Sequence, residues 1–254
     1  MRPQITVIIP ARMASSRYPG KPLVVIAGLP MIEHVRRRAL LAKGIDHVVV
    51  ATCDREILEE VEKYGGRAIM TSDKHERSSE RVAEAMLSLS GEIVINAQGD
   101  EPLLIPEALE QVVAPFFDRE GVESVSLLSP LESEADYANP NVVKAACDLS
   151  GYILYYTRAP IPHFMKAGIA PVFRETGIRA FSADFLQEYV HLSETPIERV
   201  ESVDMLRVLE HGRKVVGVVT DYVTIGVDHL EDVGKVEEIL HGNPLQKKLH
   251  QRII

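Results

Sequence analysis

Apolar, β-branched runs at 5–11, 47–52, 67–71 and 92–98 are short enough for buried strands, and stretches of helical period separate them. In the first of these stretches Met31, Ile32, Val35, Ala39 and Leu40 recur at helical spacing. Glu33, Arg36, Arg37 and Arg38 are then expected on the wet face of that helix. Asp54 stands where it can cap a second helix, with Ile57, Leu58, Val61 and Tyr64 along one side and Gly65-Gly66 as its stop. A third helix carries Val82, Ala83, Met86 and Leu89. Strand and helix alternating in this way predict parallel βαβ units, half of a doubly wound sheet. Ligands of such sheets collect beyond the carboxyl ends of the strands, so functional residues are expected just after strands.

From about residue 130 the texture changes. Strands at 142–147 and 153–157 flank a turn at 148–151 and read as a hairpin, within an antiparallel lobe at about 130–180 inserted into a single α/β domain, 1–254. The stretch 164–176 has no clear period and is expected as a loop. Helical spacing returns at 185–190 and 196–209, a strand follows at 215–220, and a last helix at 229–240 follows Asp228. The tail NPLQKKLHQRII could extend a helix, but its basic residues more simply make a solvated end.

Composition narrows the function classes. The chain has 254 residues, 46% hydrophobic and 26% charged, which excludes disorder, collagen and coiled coil. No apolar run approaches the roughly 20 residues of a membrane span, and no signal-peptide pattern opens the chain, so a cytoplasmic protein is expected. A net charge of −9 argues against a nucleic-acid partner. Cys53 and Cys147 form no CxxC pair and are expected as buried thiols; His34, His163 and His211 lack metal-ligand spacing and read as surface or packing residues.

Against that acidic background, PARMASSRYPGKPL directly after the first strand places Arg12, Arg17 and Lys21 within ten positions. Two guanidiniums and an ammonium on a loop of small residues can neutralise a polyphosphate. The loop is neither GxxxxGK[ST] nor GxGxxG, and the sugar-1-phosphate nucleotidyltransferase signature GxGxRxxPxT is also missing. The second signal is Gln98-Gly99-Asp100-Glu101-Pro102, where Asp100 ends a strand. One or two carboxylates suit Mg²⁺, which fills its remaining positions with water and phosphate oxygens. Asp228 is the candidate for the second carboxylate, with helix N-cap as its alternative reading.

In order, PARMASSRYPGKPL, VATCDREI, INAQGDEPLL, NPNVVK, GYILYYTRAPIP, LRVLEHG and GVDHLEDVGKVEEIL resemble the 3-deoxy-manno-octulosonate (Kdo) cytidylyltransferase, or CMP-Kdo synthetase, family over nearly the whole chain. The resemblance implies an α/β fold with a mostly parallel, doubly wound central sheet of the nucleotide-diphospho-sugar transferase kind, a smaller antiparallel part used in dimerisation, and a homodimer. It implies Mg²⁺-dependent transfer of CMP from CTP to the anomeric hydroxyl of a sugar acid, with release of pyrophosphate. Arg12, Lys21, Asp100 and Asp228 are then catalytic, Asp100 and Asp228 holding Mg²⁺. Pro10, Ala11, Arg12, Ser16, Arg17, Lys21, Ser79, Arg81 and Gln98 meet the nucleotide, and Arg77, Gln98, Glu175, Arg179, Asp204 and Met205 meet the acceptor.

The chain departs from the family on the acceptor side. The usual SGTDR is Arg77-Ser78-Ser79-Glu80-Arg81 here; the His and first Tyr of HIGIYGYR are Glu175 and Arg179; the Glu-Gln of LEQLR is Asp204-Met205. Methionine for glutamine removes a donor and an acceptor, and arginine for tyrosine introduces a bidentate anion binder. By the resemblance Kdo is the default acceptor, while these changes favour a smaller or more anionic one, a small phosphonate or an amino-substituted Kdo, as the alternative, with a non-catalytic nucleotide binder as a third reading. Cys53 stands where an Asp is common in the family.

Overall fold

The computed structural model describes every residue except 1, 15–17, 132, 164, 167–169 and 223–224. The chain forms two compact units, one from 1–110 and 224–254 and the other from 111–223.

The first unit is built on β1 (Ile5–Ala11), β2 (Val25–Ile26), β3 (Leu29–Pro30), α1 (Met31–Ala39), β4 (His47–Thr52), α2 (Arg55–Lys63), β5 (Ala68–Met70), α3 (Ser78–Met86), β6 (Ile93–Asn96) and α4 (Pro106–Val113), whose last turn belongs to the second unit. Four strands lie in the order β6-β1-β4-β5, all parallel. Val7, Ile8 and Ile9 of β1 are fully buried, as a central strand covered on both faces requires. Each such side chain contributes roughly 1.5–3 kcal/mol of burial.

The second unit continues with α5 (Pro115–Asp118), β7 (Ser124–Ser129), α6 (Glu134–Ala138), β8 (Lys144–Cys147), β9 (Ile153–Thr157), β10 (Val172–Ser182), α7 (Ala183–His191), α8 (Pro196–Glu201), α9 (Leu206–Glu210) and β11 (Val216–Val219). Here β7 and β11 pair in parallel, while β10 runs antiparallel to both β7 and β8, and β8 antiparallel to β9. The expected hairpin is β8–β9. The expected α/β class, with parallel strands and a smaller antiparallel part, is what the chain adopts. Lys144, the last residue of NPNVVK, is fully buried, and its Nζ donates to the carbonyls of Asn139, Val142 and Arg158 at 2.7–2.9 Å. That lysine holds a turn together.

The chain returns to the first unit with α10 (Leu230–Gly242) and α11 (Pro244–Ile253). Val227, Val236 and Leu240 share a core cluster with Ile26, Met31 and Leu103. Among the described residues no helix is long and apolar enough to cross a membrane.

Four local expectations need correction. The last five residues of 164–176, from Val172 onward, are the start of β10, an antiparallel strand whose mixed composition hides its period. The helix expected at 196–209 is two helices, broken where Ser202 adopts a left-handed φ of 52°. The tail takes the helical alternative, capped by Asn243, whose Oδ1 accepts from the amides of Leu245 and Gln246, with Lys247, Lys248 and Arg252 exposed but Gln246, Leu249 and Ile253 buried. The charged face of α1 is not wet: Glu33 and Arg38 are fully buried and Arg36 nearly so. Glu33 accepts from Arg36 at 2.7 Å and Arg37 at 3.0 Å, and Arg38 donates to Gln246 of α11 at 2.7 Å and to the Leu104 carbonyl at 3.1 Å. Helical periodicity identified the helix but not its partners, because paired charges can face an interior.

Candidate functional site

The first unit carries an open cleft of about 280 Å³ at the carboxyl ends of β1 and β6. Pro10, Ala11 and Arg12 line it from β1; Gln98, Gly99 and Asp100 from beyond β6; His75, Glu76, Arg77, Ser78 and Arg81 from the start of α3; and Lys21, Pro22 and Asp228 complete it.

Gly99 explains how two strand ends meet so closely. A Cβ there would sit 2.7 Å from the Pro10 carbonyl oxygen, so only glycine admits this approach. Lys21 opens a single 3-10 turn, Lys21–Leu23, preceded by Gly20 at a left-handed φ of 76°. This turn points a buried ammonium at two carboxylates: Nζ lies 2.5 Å from Asp100 Oδ2 and 3.6 Å from Asp228 Oδ1. The lysine side chain is 10% exposed, whereas those of Asp100 and Asp228 are 36% and 47% exposed, so both acids remain open to the cleft.

Asp228 is held beside Asp100 by the backbone, Val227 N–H donating to the Asp100 carbonyl at 2.9 Å. Its alternative reading as an N-cap fails. His229 occupies the cap position of α10, and Asp232 Oδ2 accepts from the amides of Asp228 and His229 at 3.0 and 2.9 Å. Those two amides, with Lys235, hold the Asp232 carboxyl below its usual pKa even though its partial burial acts in the opposite direction.

The start of α3 forms another wall. Arg81 is buried and donates to the Thr71 hydroxyl and to the Ser72 carbonyl at 3.2 Å. His75 pairs with Glu84, whose carboxyl is lowered chiefly by the Ser72 amide. Ser79 was expected to meet the nucleotide; it is buried, and Ser78 lines the cleft instead. Ser16 and Arg17 lie outside the described residues. His75 and Ser78 carried no independent sequence signal, since each faces the cleft only through the placement of α3.

The acceptor candidates divide. Arg77 and Gln98 line the cleft. Glu175, Arg179, Asp204 and Met205 belong to the second unit, where Arg179 Nε donates to Glu175 at 3.0 Å and Nη1 to Asp204 at 2.7 Å. Burial disfavours its charge, but Asp204 and Glu175 outweigh this and hold the guanidinium pKa well above the arginine norm. Arg179 is therefore not the free bidentate anion binder that its sequence position suggested. Met205 is fully buried, a core residue rather than an acceptor contact. Cys147 is buried, with its thiol pushed up to about 11 by that burial, whereas Cys53 is only half-buried.

A cleft of this kind, with Arg12 and Lys21 set against paired carboxylates, suits the transfer of a nucleotidyl group. The Cytidylyltransferase family model matches residues 6–215, and the chain belongs to that family. Curated relatives named 3-deoxy-manno-octulosonate cytidylyltransferase are 41% identical in Syntrophotalea carbinolica, over 94% of this chain and 99% of the relative, and 40% identical in Geobacter sulfurreducens, over 93% and 99%. A solved structure of CMP:2-keto-3-deoxy-manno-octonic acid synthetase complexed with CTP superposes with a TM-score of 0.89 at 36% identity, covering 93% of this chain and 98% of that one.

Proposed function

We propose that this cytidylyltransferase transfers CMP from CTP to the anomeric hydroxyl of Kdo and releases pyrophosphate. The observation that carries the proposal is Lys21 set between Asp100 and Asp228 in a cleft walled by Arg12 and Arg81. The sugar hydroxyl oxygen attacks the α-phosphorus, the bond to the bridging oxygen of the β-phosphate breaks, and the hydroxyl proton passes to solvent. Such a transfer asks for positioning and charge neutralisation rather than an enzyme nucleophile. Lys21, Arg12 and Arg81 supply the positive charge.

The donor set fits Mg²⁺: two half-exposed carboxylates beside a single lysine offer hard oxygens and leave room for phosphate and water. When bound there, Mg²⁺ would neutralise phosphate charge and acidify a nearby hydroxyl. Asp100 and Asp228 are the residues that would hold it. The phosphonate alternative drew on Arg179 and Arg77, and Arg179 is engaged by two acids. Kdo is accordingly the acceptor we favour, in a homodimer whose mass sedimentation would measure.

The test is pyrophosphate release from CTP with Kdo, amino-substituted Kdo, phosphonoformate or no acceptor, each with Mg²⁺ and with EDTA. Turnover with Kdo that EDTA abolishes is the expected result. Silence with Kdo, or a phosphonate preferred over it, would overturn the reading.

A further inference from the structure

Asp54 occupies the N-cap position of α2, yet its carboxylate makes no cap hydrogen bond to that helix. An aspartate at this position ordinarily stabilises its helix by accepting from the first-turn amides. Here Oδ2 instead accepts the backbone N–H of Met13, 41 residues earlier, at 2.7 Å. Met13 is also the neck of the basic loop, because its carbonyl accepts from Gly20 N–H at 3.0 Å. Both backbone groups of Met13 are thus fixed, one by Asp54 and one by the glycine that precedes Lys21. The residue on one side of this neck is Arg12 and the turn that closes it leads into Lys21, both of which line the cleft.

The anchor itself is rigid. Thr52 ends β4 fully buried, in register with Ala11 of β1, and its Oγ1 accepts from Asp54 N–H at 3.0 Å. The Cys53 thiol donates to the same Asp54 oxygen at 3.6 Å. Asp54 does not line the cleft, so it acts on the site through Met13 rather than by contact with phosphate.

We infer that Asp54 is a positioning residue for triphosphate binding: it ties the loop after β1 to the end of β4, so that Arg12 and Lys21 are presented before the nucleotide arrives. This rests on the CTP-dependent reading above. Without the tie, ordering of the loop is deferred to the binding step and weakens it. The loss therefore falls on the KM for CTP rather than on kcat, because the groups that meet the reacting phosphates are unchanged.

The experiment compares Asp54→Ala with Asp54→Asn, which keeps an oxygen able to accept from Met13. Asp54→Ala should raise the KM for CTP about tenfold or more, the scale of a charged hydrogen bond, with kcat within about threefold. Asp54→Asn should stay within about threefold of the parent in both, on the scale of a neutral hydrogen bond. Amide exchange of Met13, which needs no substrate, should accelerate in Asp54→Ala while β4 and α2 exchange as before. An unchanged KM and unchanged exchange in Asp54→Ala would overturn the inference, as would an Asp54→Asn variant as impaired as the alanine. Parent protein that fails to turn over CTP with Kdo would sink the functional reading instead, leaving the exchange measurement to decide on the anchor.

Discussion

Two clusters of charge, one in each unit, share one plan, a single base between two acids, and behave in opposite ways. Around Lys21 a single buried ammonium faces two acids that stay one-third to one-half exposed. Around Arg179 a single buried guanidinium faces two acids whose side chains are only 7% and 11% exposed. The first cluster keeps its carboxylates open to a cleft. The second satisfies its charges internally, with the Tyr189 hydroxyl donating to the Asp204 carbonyl at 3.1 Å. An acid–base–acid grouping recruits a ligand only where part of its charge faces an opening, and sequence alone does not report that.

The comparison is broken most forcefully at Lys21. Lys21→Met should lower kcat/KM for pyrophosphate release by roughly 10³-fold, the scale of losing one preorganised group from a site where charge develops. Its thermal stability should change little, because the two carboxylates left behind reach water. A variant with near-parental turnover would place the chemistry elsewhere.

Arg179→Met should do the reverse. It removes the guanidinium that both Glu175 and Asp204 engage, and breaking a buried pair costs about 3–5 kcal/mol. Urea unfolding would read that loss, and adding Glu175→Gln and Asp204→Asn should recover most of it, since neutral groups of the same shape need no cation. A stable Arg179→Met variant that lost turnover selectively would return Arg179 to the acceptor site.

What was legible in the sequence follows the same division. The loop after β1, Asp100 after β6 and Asp228 before α10 could be read because strand ends position residues locally, and because glycines mark where the backbone must pass closely. Asp54 was legible as a cap but not as a tie to Met13, since its partner lies 41 residues away. The Arg179 cluster and the buried face of α1 were misread because partners distant in sequence are not visible: Arg179 was assigned to the acceptor when Glu175 and Asp204 engage it, and the α1 charges were assigned to solvent when they pair inside. For Arg38 that partner is Gln246, contributed by the C-terminal helix that composition presented as a solvated tail.

That same helix makes a pH-dependent interface. His34 is fully buried, its Nε2 donating to the Ile26 carbonyl at 2.7 Å and its ring stacked on His250 of α11 at 5.4 Å. Burial, opposed by the Ile26 carbonyl and assisted by Arg38, lowers its pKa from 6.5 to about 4. The unfolded chain therefore takes up the proton first as pH falls. The neutral-imidazole contribution is complete above pH 6.5 and is lost between 6.5 and about 4, on the order of 3 kcal/mol in all. His250, also lowered chiefly by burial, adds in the same direction. Unfolding free energies across this range should fall toward acid pH, and His34→Gln, which retains a donor for Ile26, should flatten the slope. A slope of the same size in that variant would assign it to other groups.

The smallest expected effect lies at Arg77, which lines the cleft from the N-cap position of α3, where the family carries serine. Arginine has no acceptor for the first-turn amides; Glu80 Oε2 accepts the Arg77 amide at 3.2 Å, so only half of a capping box is present. Arg77→Ser would supply the missing oxygen and should stabilise the protein by about 0.5–1 kcal/mol. It also removes one half-buried cation from the cleft, and if the proposed Kdo reading holds its KM should rise a few-fold, since a partly solvated ion pair is worth at most about 1 kcal/mol. Melting and KM measured on one variant thus move apart: a more stable enzyme that holds its acceptor less well. A gain in stability with no change in KM would make Arg77 an inferior cap and nothing more, leaving the charge that meets the acceptor to the other residues of the cleft.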